Sequence, residues 1–199
     1  VMPVVVSFLK ERGLELSQAK TKITHIDEGF DFLGFNVRKY KGKLLIKPAK
    51  KNIKSFLDKT RKLIKSNPTT TTEILIHQLN PKIRGWTNYF CHVVAKETFN
   101  YVDHSVFQTL LRWVKRRHPN KSSQWMRKKY FRSQGLRNWI FSTTMITGKG
   151  EKVFLDLLAM VHTPIRRHVK VRAEATPYDP RFTEYFLRRS GLWKGTKTK

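Results

Sequence analysis

Between Pro48 and Pro119 the apolar residues recur at the spacing of a helix face, and this pattern constrains the fold more than any other feature of the chain. Ile53, Phe56, Leu57, Leu63 and Ile64 form one stripe, with the lysines elsewhere. Pro48 suits the first turn of that helix. Asn67-Pro68 and the four threonines after it break the pattern with a polar, extended stretch. Ile74, Leu75, Ile76 and Leu79 predict a short second helix that stops at Asn80-Pro81. Ile83, Trp86, Tyr89, Phe90 and Val93 predict a third. Phe99, Val102, Val106, Leu110 and Trp113 predict a fourth, ending at His118-Pro119. Its last turn, Lys115-Arg116-Arg117, complements the helix dipole. An all-β fold for this stretch is incompatible with such spacing.

The flanks read differently. Residues 4–12 predict a helix stopped by Gly13, and the chain opens mid-pattern without a cap, as a fragment would. Short alternating runs follow at Leu14–Ser17, Lys22–Ile26, Phe30–Val37 and Leu44–Ile46. Lys39-Tyr-Lys-Gly-Lys reads as a hairpin turn, and Gly34 within its aromatic run signals a bulge or a close backbone approach. After the fourth helix, Ser122–Tyr130 predicts a short basic helix, Trp139–Met145 and Ile165–Val171 predict strands, and Glu151–Met160 predicts a helix between them. Pro177-Tyr-Asp-Pro180 signals a turn before a last helix near Phe182–Arg188, and the lysine-rich tail reads as unfolded.

Charge narrows the function. The 199 residues hold 41 Lys+Arg against 14 Asp+Glu, a formal charge of +27. Such a field concentrates polyanions, which excludes an ordinary enzyme for small neutral substrates. With 39% hydrophobic and 12% aromatic residues the chain is no disordered basic tail. The charge is uneven: residues 1–31 carry −1, residues 32–72 carry +11, residues 73–147 carry +10 and residues 148–199 carry +7. Everything after Asp31 is therefore suited to phosphates. The lone Cys91 excludes a disulfide framework and a cysteine zinc site built from this chain alone. No apolar run approaches a membrane span, and no segment resembles a secretory signal. The expectation is a folded intracellular protein that binds nucleic acid and no membrane.

No catalytic or metal-ligating constellation stands out. The acids are scattered, Asp27, Glu28 and Asp31 read as a solvated turn, and no histidines pair at a ligand spacing. Basic residues interleaved with aromatics are more informative. Lys82, Arg84, Gly85, Trp86 and Tyr89 share two turns of helix. Lys82, Arg84 and Tyr89 are candidate RNA contacts, Gly85 would admit a close backbone, and Trp86 and Phe90 read as core. Arg112, Lys115, Arg116 and Arg117, then Arg127, Lys128 and Lys129, form the densest basic patch. Arg166, Arg167, His168, Lys170 and Arg172 form a last cluster, of which Arg166, His168, Lys170 and Arg172 would share one face of a strand.

These strings carry a resemblance. Leu14-Glu-Leu-Ser-Gln-Ala-Lys-Thr-Lys-Ile23 and Gly29-Phe-Asp-Phe-Leu-Gly34-Phe resemble the last palm blocks of group II intron reverse transcriptases. Leu79-Asn-Pro-Lys-Ile-Arg-Gly-Trp-Thr-Asn-Tyr-Phe90 resembles the core of their maturase, or X, domain, which is also the thumb. Trp113-Val-Lys-Arg-Arg-His118-Pro and Trp125-Met-Arg-Lys-Lys-Tyr130-Phe extend it. Ile165-Arg-Arg-His-Val-Lys170 and Ala175-Thr-Pro-Tyr-Asp-Pro180, through Tyr185-Phe, resemble the region that contacts target DNA. The family's aromatic-Ala-Asp-Asp polymerase motif is absent from this sequence, as are the paired cysteines of its HNH endonuclease.

The resemblance implies a mostly α fold with a small α+β start: an end of palm over residues 1–47, a maturase/thumb helical bundle over 48–135, and a mixed basic DNA-binding appendage over 136–199. It implies a maturase segment that binds group II intron RNA, assists splicing and supports target-DNA insertion. Lys82 to Lys129 would then face RNA, and Arg166 to Arg172 would face DNA. Further partners would be target DNA and the remaining reverse-transcriptase segment. No cofactor is expected in this chain, while Mg²⁺ is expected for the parent polymerase and the intron ribozyme. The implied location is a bacterial cytoplasm or nucleoid, or an organelle. The alternatives are a thumb holding primer–template in an active RNA-directed DNA polymerase, or a basic architectural protein.

Overall fold

The computed structural model describes residues 2–17, 19–148, 150–166 and 171–190. Cα proximity divides the chain into two compact units, Val1–Arg166 and Arg167–Lys199. In the first, three long helices form the centre. Helix α1 (Met2–Lys10) precedes a hairpin sheet of β1 (Phe30–Phe32), β2 (Phe35–Tyr40) and β3 (Lys43–Pro48). Helices α2 (Lys50–Ser66), α3 (Thr72–Phe90) and α4 (Lys96–Arg117) follow, then the short α5 (Ser123–Tyr130). A second antiparallel sheet comprises β4 (Phe131–Gln134), β5 (Arg137–Ile146) and β6 (Lys152–Asp156) in that order, and a 3-10 turn spans Met160–His162. In the second unit a 3-10 turn, Pro180–Phe182, leads into α6 (Thr183–Ser190). The architecture is thus mixed, six helices and two small sheets among the described residues.

The helical stripes do what their spacing requires. Phe56, Leu57 and Ile64 of α2, Leu75, Ile76, Leu79, Ile83 and Phe90 of α3, and Phe99, Val102, Val106 and Leu110 of α4 are buried in one cluster. Removing each such side chain from water contributes about 1.5–3 kcal/mol. Thr71 caps α3, its hydroxyl accepting from the Ile74 N–H at 3.3 Å, so the threonine break is also a helix start.

Pro81 does not end a helix. Helix α3 runs through it, because Leu75, Ile76 and Leu79 on one side and Ile83, Thr87 and Phe90 on the other enter the same core. Their burial outweighs the roughly 3 kcal/mol that an interior proline costs. Pro81 and His77 are exposed, so water reaches the carbonyl that the missing N–H leaves unpaired. The second and third helices expected from sequence are therefore one.

Other expectations are corrected at the sheets. Pro48 closes β3 opposite Phe35 and does not open the helix; Ala49 is the N-cap residue. The Phe30–Val37 run is interrupted by a turn at Leu33 and Gly34, with φ 48° and 81°. A Cβ on Gly34 would lie 2.8 Å from Asn52 Nδ2, so the glycine both turns the chain and lets α2 approach. The Lys41-Gly42 hairpin forms as expected, both residues having positive φ. Leu14–Ser17 and Lys22–Ile26 form no strand among the described residues. Alternation marks a face but supplies no neighbour to pair with; Ile26 makes a single backbone bond, accepting from the Lys39 N–H at 3.0 Å.

The helix expected at Glu151–Met160 is strand β6. Gly150, at φ 79°, turns the chain back, and Val153, Phe154 and Leu155 pair with Met145, Thr144 and Thr143 of β5. β-branched and aromatic residues favour that pleated surface over a helix. Strand β4 begins directly after α5, at the buried Phe131, and was not foreseen. Ile165, Arg166, Val171 and Arg172 are in no strand, and residues 167–170, the middle of that expected strand, lie outside the described residues.

Side chains of the bundle clamp the segment after β6. Asn80 donates through Nδ2 to the Asp156 carbonyl and accepts the Leu158 N–H through Oδ1, both at 2.9 Å. The Asp103 carboxylate accepts the Met160 and Val161 N–H groups at 2.9 Å each. Lys96 Nζ donates to the carbonyls of Val161 and Thr163 at 2.6 and 2.8 Å. Burial raises the Asp103 pKa against the opposing pull of those two N–H groups, His162 and Arg137. Replacing Asp103 by Ala leaves two amides unpartnered, and chemical denaturation is expected to show a loss of about 1–3 kcal/mol; Asp103→Asn, which keeps an acceptor, should lose less.

Candidate nucleic-acid interface

Helices α2 and α4 pack with their basic edges on one side. Arg61 and Lys65 are one turn apart on α2, and Arg112 and Arg116 one turn apart on α4. The four line a common cleft floored by Ile64, Thr109 and Trp113. At the α2 C-terminus the cleft opens into a cavity of about 410 Å³ bounded by Lys65, Pro68, Trp113, Arg116, Arg117 and His118. Among the described residues no carboxylate lines either space. Asp58 reaches Arg61 at 3.1 Å, but this exposed pair contributes little and leaves Lys65, Arg112 and Arg116 facing the cleft.

The cavity wall is held by its own chemistry. Trp113 Nε1 donates to the Asn67 carbonyl at 2.8 Å. The Arg117 guanidinium lies 4.4 Å from the Trp113 ring centroid and donates to the Thr70 carbonyl. Arg117 thus braces the α2–α3 loop, whereas Arg112 and Arg116 are exposed.

Beyond the cavity, His118, Trp125 and Tyr130 join α4 to α5. The His118 and Trp125 rings are 4.8 Å apart, and His118 Nε2 lies 2.7 Å from the Tyr130 hydroxyl. Burial holds the His118 pKa below the ordinary imidazole value, and Lys129, Arg117 and Lys121 push it further down. Burial also raises the Tyr130 pKa, so its O–H is the donor and the neutral imidazole the acceptor. A histidine whose folded pKa lies below its unfolded value, about 6.5, stabilises fully above that value and loses the contribution as pH falls through it. Unfolding free energy is therefore expected to drop between pH 7.5 and pH 5.5, and His118→Gln should flatten the drop; equal slopes for both proteins would contradict the assignment. Lys129 Nζ, 4.8 Å from the Trp125 ring, and Lys121 Nζ, 5.6 Å from it, flank this group.

The remaining sequence candidates are dispersed. Lys115 and Lys128 are exposed and line neither the cleft nor the cavity. The Arg127 guanidinium lies 5.1 Å from the Trp139 ring. Lys82 and Arg84 are exposed on α3 and are not among the residues that line the cleft. Gly85 beside them has nothing within 4 Å of where its Cβ would stand. Tyr89 is 49% exposed, yet it stacks on Phe35 at 5.0 Å and donates to the Leu33 carbonyl at 2.7 Å, which docks the first sheet on α3. Arg166 is exposed, its N–H donating to the Cys91 carbonyl at 2.8 Å and its carbonyl lying 2.6 Å from His92 Nδ1. In the second unit the Arg172 guanidinium lies 5.2 Å from the Tyr185 ring. Arg167, His168 and Lys170 lie outside the described residues.

Sequence reasoning did not single out Arg61 and Lys65, noting only that the lysines of α2 lie off its apolar stripe. The signal was present: both flank Ile64, on the border of the apolar stripe, where a charge sits beside the next helix. Among the described residues no three His, Cys, Asp or Glu side chains gather as a metal site would require, and no helix is long and apolar enough to cross a membrane.

Residues 53–131, from the first turn of α2 to the start of β4, match the family model described as group II intron, maturase-specific domain. No curated protein matches the chain. The matched segment contains α3, α4, α5 and nearly all of α2, and with them every residue of the cleft. Over these residues the chain is similar to the maturase-specific domain of group II intron proteins.

Proposed function

We propose that this maturase domain binds folded intron RNA along the α2–α4 cleft and so assists splicing, the chemistry itself belonging to the RNA. The observation that carries this reading is the cleft: Arg61, Lys65, Arg112 and Arg116 face one channel with no carboxylate among its lining residues, within the matched domain. Cations that follow a backbone suit A-form RNA, whose deep major groove side chains cannot read. Phosphate contacts position the RNA without reading its sequence. Mg²⁺ would enter as the ribozyme's own ion. Target DNA is the proposed second partner, through the basic cluster from Arg166 to Arg172, and mobility of the intron is the task that contact would serve.

The test is self-splicing of a group II intron transcript at limiting Mg²⁺, with and without the chain. Binding together with a higher spliced fraction is the expected result. Binding that leaves splicing unchanged would remove the splicing role, and no binding would remove the reading altogether.

A further inference from the structure

The hairpin of β4 and β5 has a construction that the cleft does not explain. Its turn is Gly135-Leu136, closed by the Gln134–Arg137 pair, with Gly135 at φ 57°. Leu136 is fully exposed at the tip, with relative accessibility 102%. Water gains nothing from a leucine held there, and a polar residue would serve the turn as well. Just below, the register slips between Arg132 and Gln134. Trp139 absorbs the slip with φ 63°, a left-handed backbone that a bulky residue adopts only at a cost. Its ring is gripped by Phe131 at 5.4 Å, Phe107 at 6.2 Å and the Arg127 guanidinium at 5.1 Å. The strain is thus held in place by surrounding aromatics, and it sets the direction in which the tip projects.

The surroundings select the partner. Residues 123–146 contain five cations, Arg127, Lys128, Lys129, Arg132 and Arg137; Asp156 of β6 pairs with Arg132 at 2.5 Å, which leaves four facing outward or onto aromatic rings. At the tip itself one apolar side chain, Leu136, stands beside the exposed Arg137, and one leucine is a poor protein contact, which would need a larger dry patch. It matches the arrangement by which nucleic-acid binders insert one apolar wedge at a base step while cations hold the flanking phosphates. We infer that the β4–β5 hairpin is a wedge, which places Leu136 against the bases of intron RNA where an unpaired nucleotide leaves a step open. This rests on the reading of the chain as an RNA binder and adds a second contact of different chemistry.

The experiment compares two RNA duplexes of equal length, one perfectly paired and one with a single bulged nucleotide, against the parent chain and Leu136→Gln. Since Leu136 touches nothing within the fold, the variant should keep the parent's thermal stability. The parent is expected to prefer the bulged duplex by roughly tenfold, the scale of burying one leucine side chain. Leu136→Gln should abolish that preference while leaving affinity for the paired duplex and its salt dependence unchanged. A parent without preference, or a preference that survives the variant, overturns the wedge and leaves the cleft reading standing. Failure to bind either duplex overturns both. A variant that changes only the apparent mass of the free chain would reassign Leu136 to a protein contact.

Discussion

Replacing Arg61, Lys65, Arg112 and Arg116 together by Ala is expected to cut the affinity for folded intron RNA by orders of magnitude and to flatten its salt dependence. Each phosphate left without its cation lowers the slope of log K against log salt by about 0.7–0.9, so four of them lower it by about 3. Lys65, Arg112 and Arg116 are exposed and Arg61 is half-buried, outside the buried core, and surface changes of this kind leave stability within about 0.5 kcal/mol. Removing four like charges from one groove relieves repulsion besides. The comparison is a charge-matched control: Lys20, Lys22, Lys41 and Lys43 changed to Ala, all exposed and all outside the matched domain. Filter binding from 50 to 500 mM salt would separate the two. Equal losses in both variants would mean that the RNA responds to total charge and that the cleft has no special standing.

Phe90→Ala is expected to damage the protein by a different route. Phe90 is fully buried at the end of α3, its ring 4.7 Å from that of Trp86, 5.1 Å from Phe35 and 4.9 Å from Tyr89. Truncating such a ring removes the burial energy and leaves a cavity, together about 3–5 kcal/mol. For a chain of this size each kcal/mol shifts the melting temperature by about 2–4 °C, so a fall of roughly 10 °C should appear in a thermal scan. RNA binding should weaken only as the fold is lost, with the salt slope unchanged at temperatures where the protein remains folded. The cleft variant should show the reverse: an unchanged melting temperature and an altered slope. A Phe90→Ala protein that melted with the parent would contradict the placement of that ring in the core.

The two variants also mark what the sequence could and could not reveal. The stripes of α2 and α4 were legible because a core-facing helix must repeat its apolar residues about every 3.6 positions. Phe90 was legible as core for the same reason. Pro81 misled, because a local breaker was weighed without the burial on both its sides. Residues 151–160 misled more deeply: a strand exists only through its partner, and nothing in Lys152–Asp156 alone announces the pairing with β5. The basic residues were legible as a class, while their roles were not. Arg116 and Arg117 are adjacent in sequence, yet one faces the cleft and the other braces the Thr70 carbonyl over Trp113. Arg61 and Lys65 belong with Arg112 and Arg116 only once α2 and α4 are packed together. Tyr89 shows the converse, an exposed amphipathic ring whose hydroxyl serves the docking of the first sheet.

The most direct measurement of the central claim is ultraviolet crosslinking of the chain to a folded group II intron RNA, with the attached peptides identified by mass spectrometry. A cleft that holds RNA predicts nucleotide adducts on peptides that contain residues 61–68 and 112–118, the two sides of the cleft and the mouth of its cavity. Those adducts should disappear in the Arg61, Lys65, Arg112 and Arg116 variant. Adducts confined to residues 20–43, with the cleft peptides recovered unmodified, would contradict it.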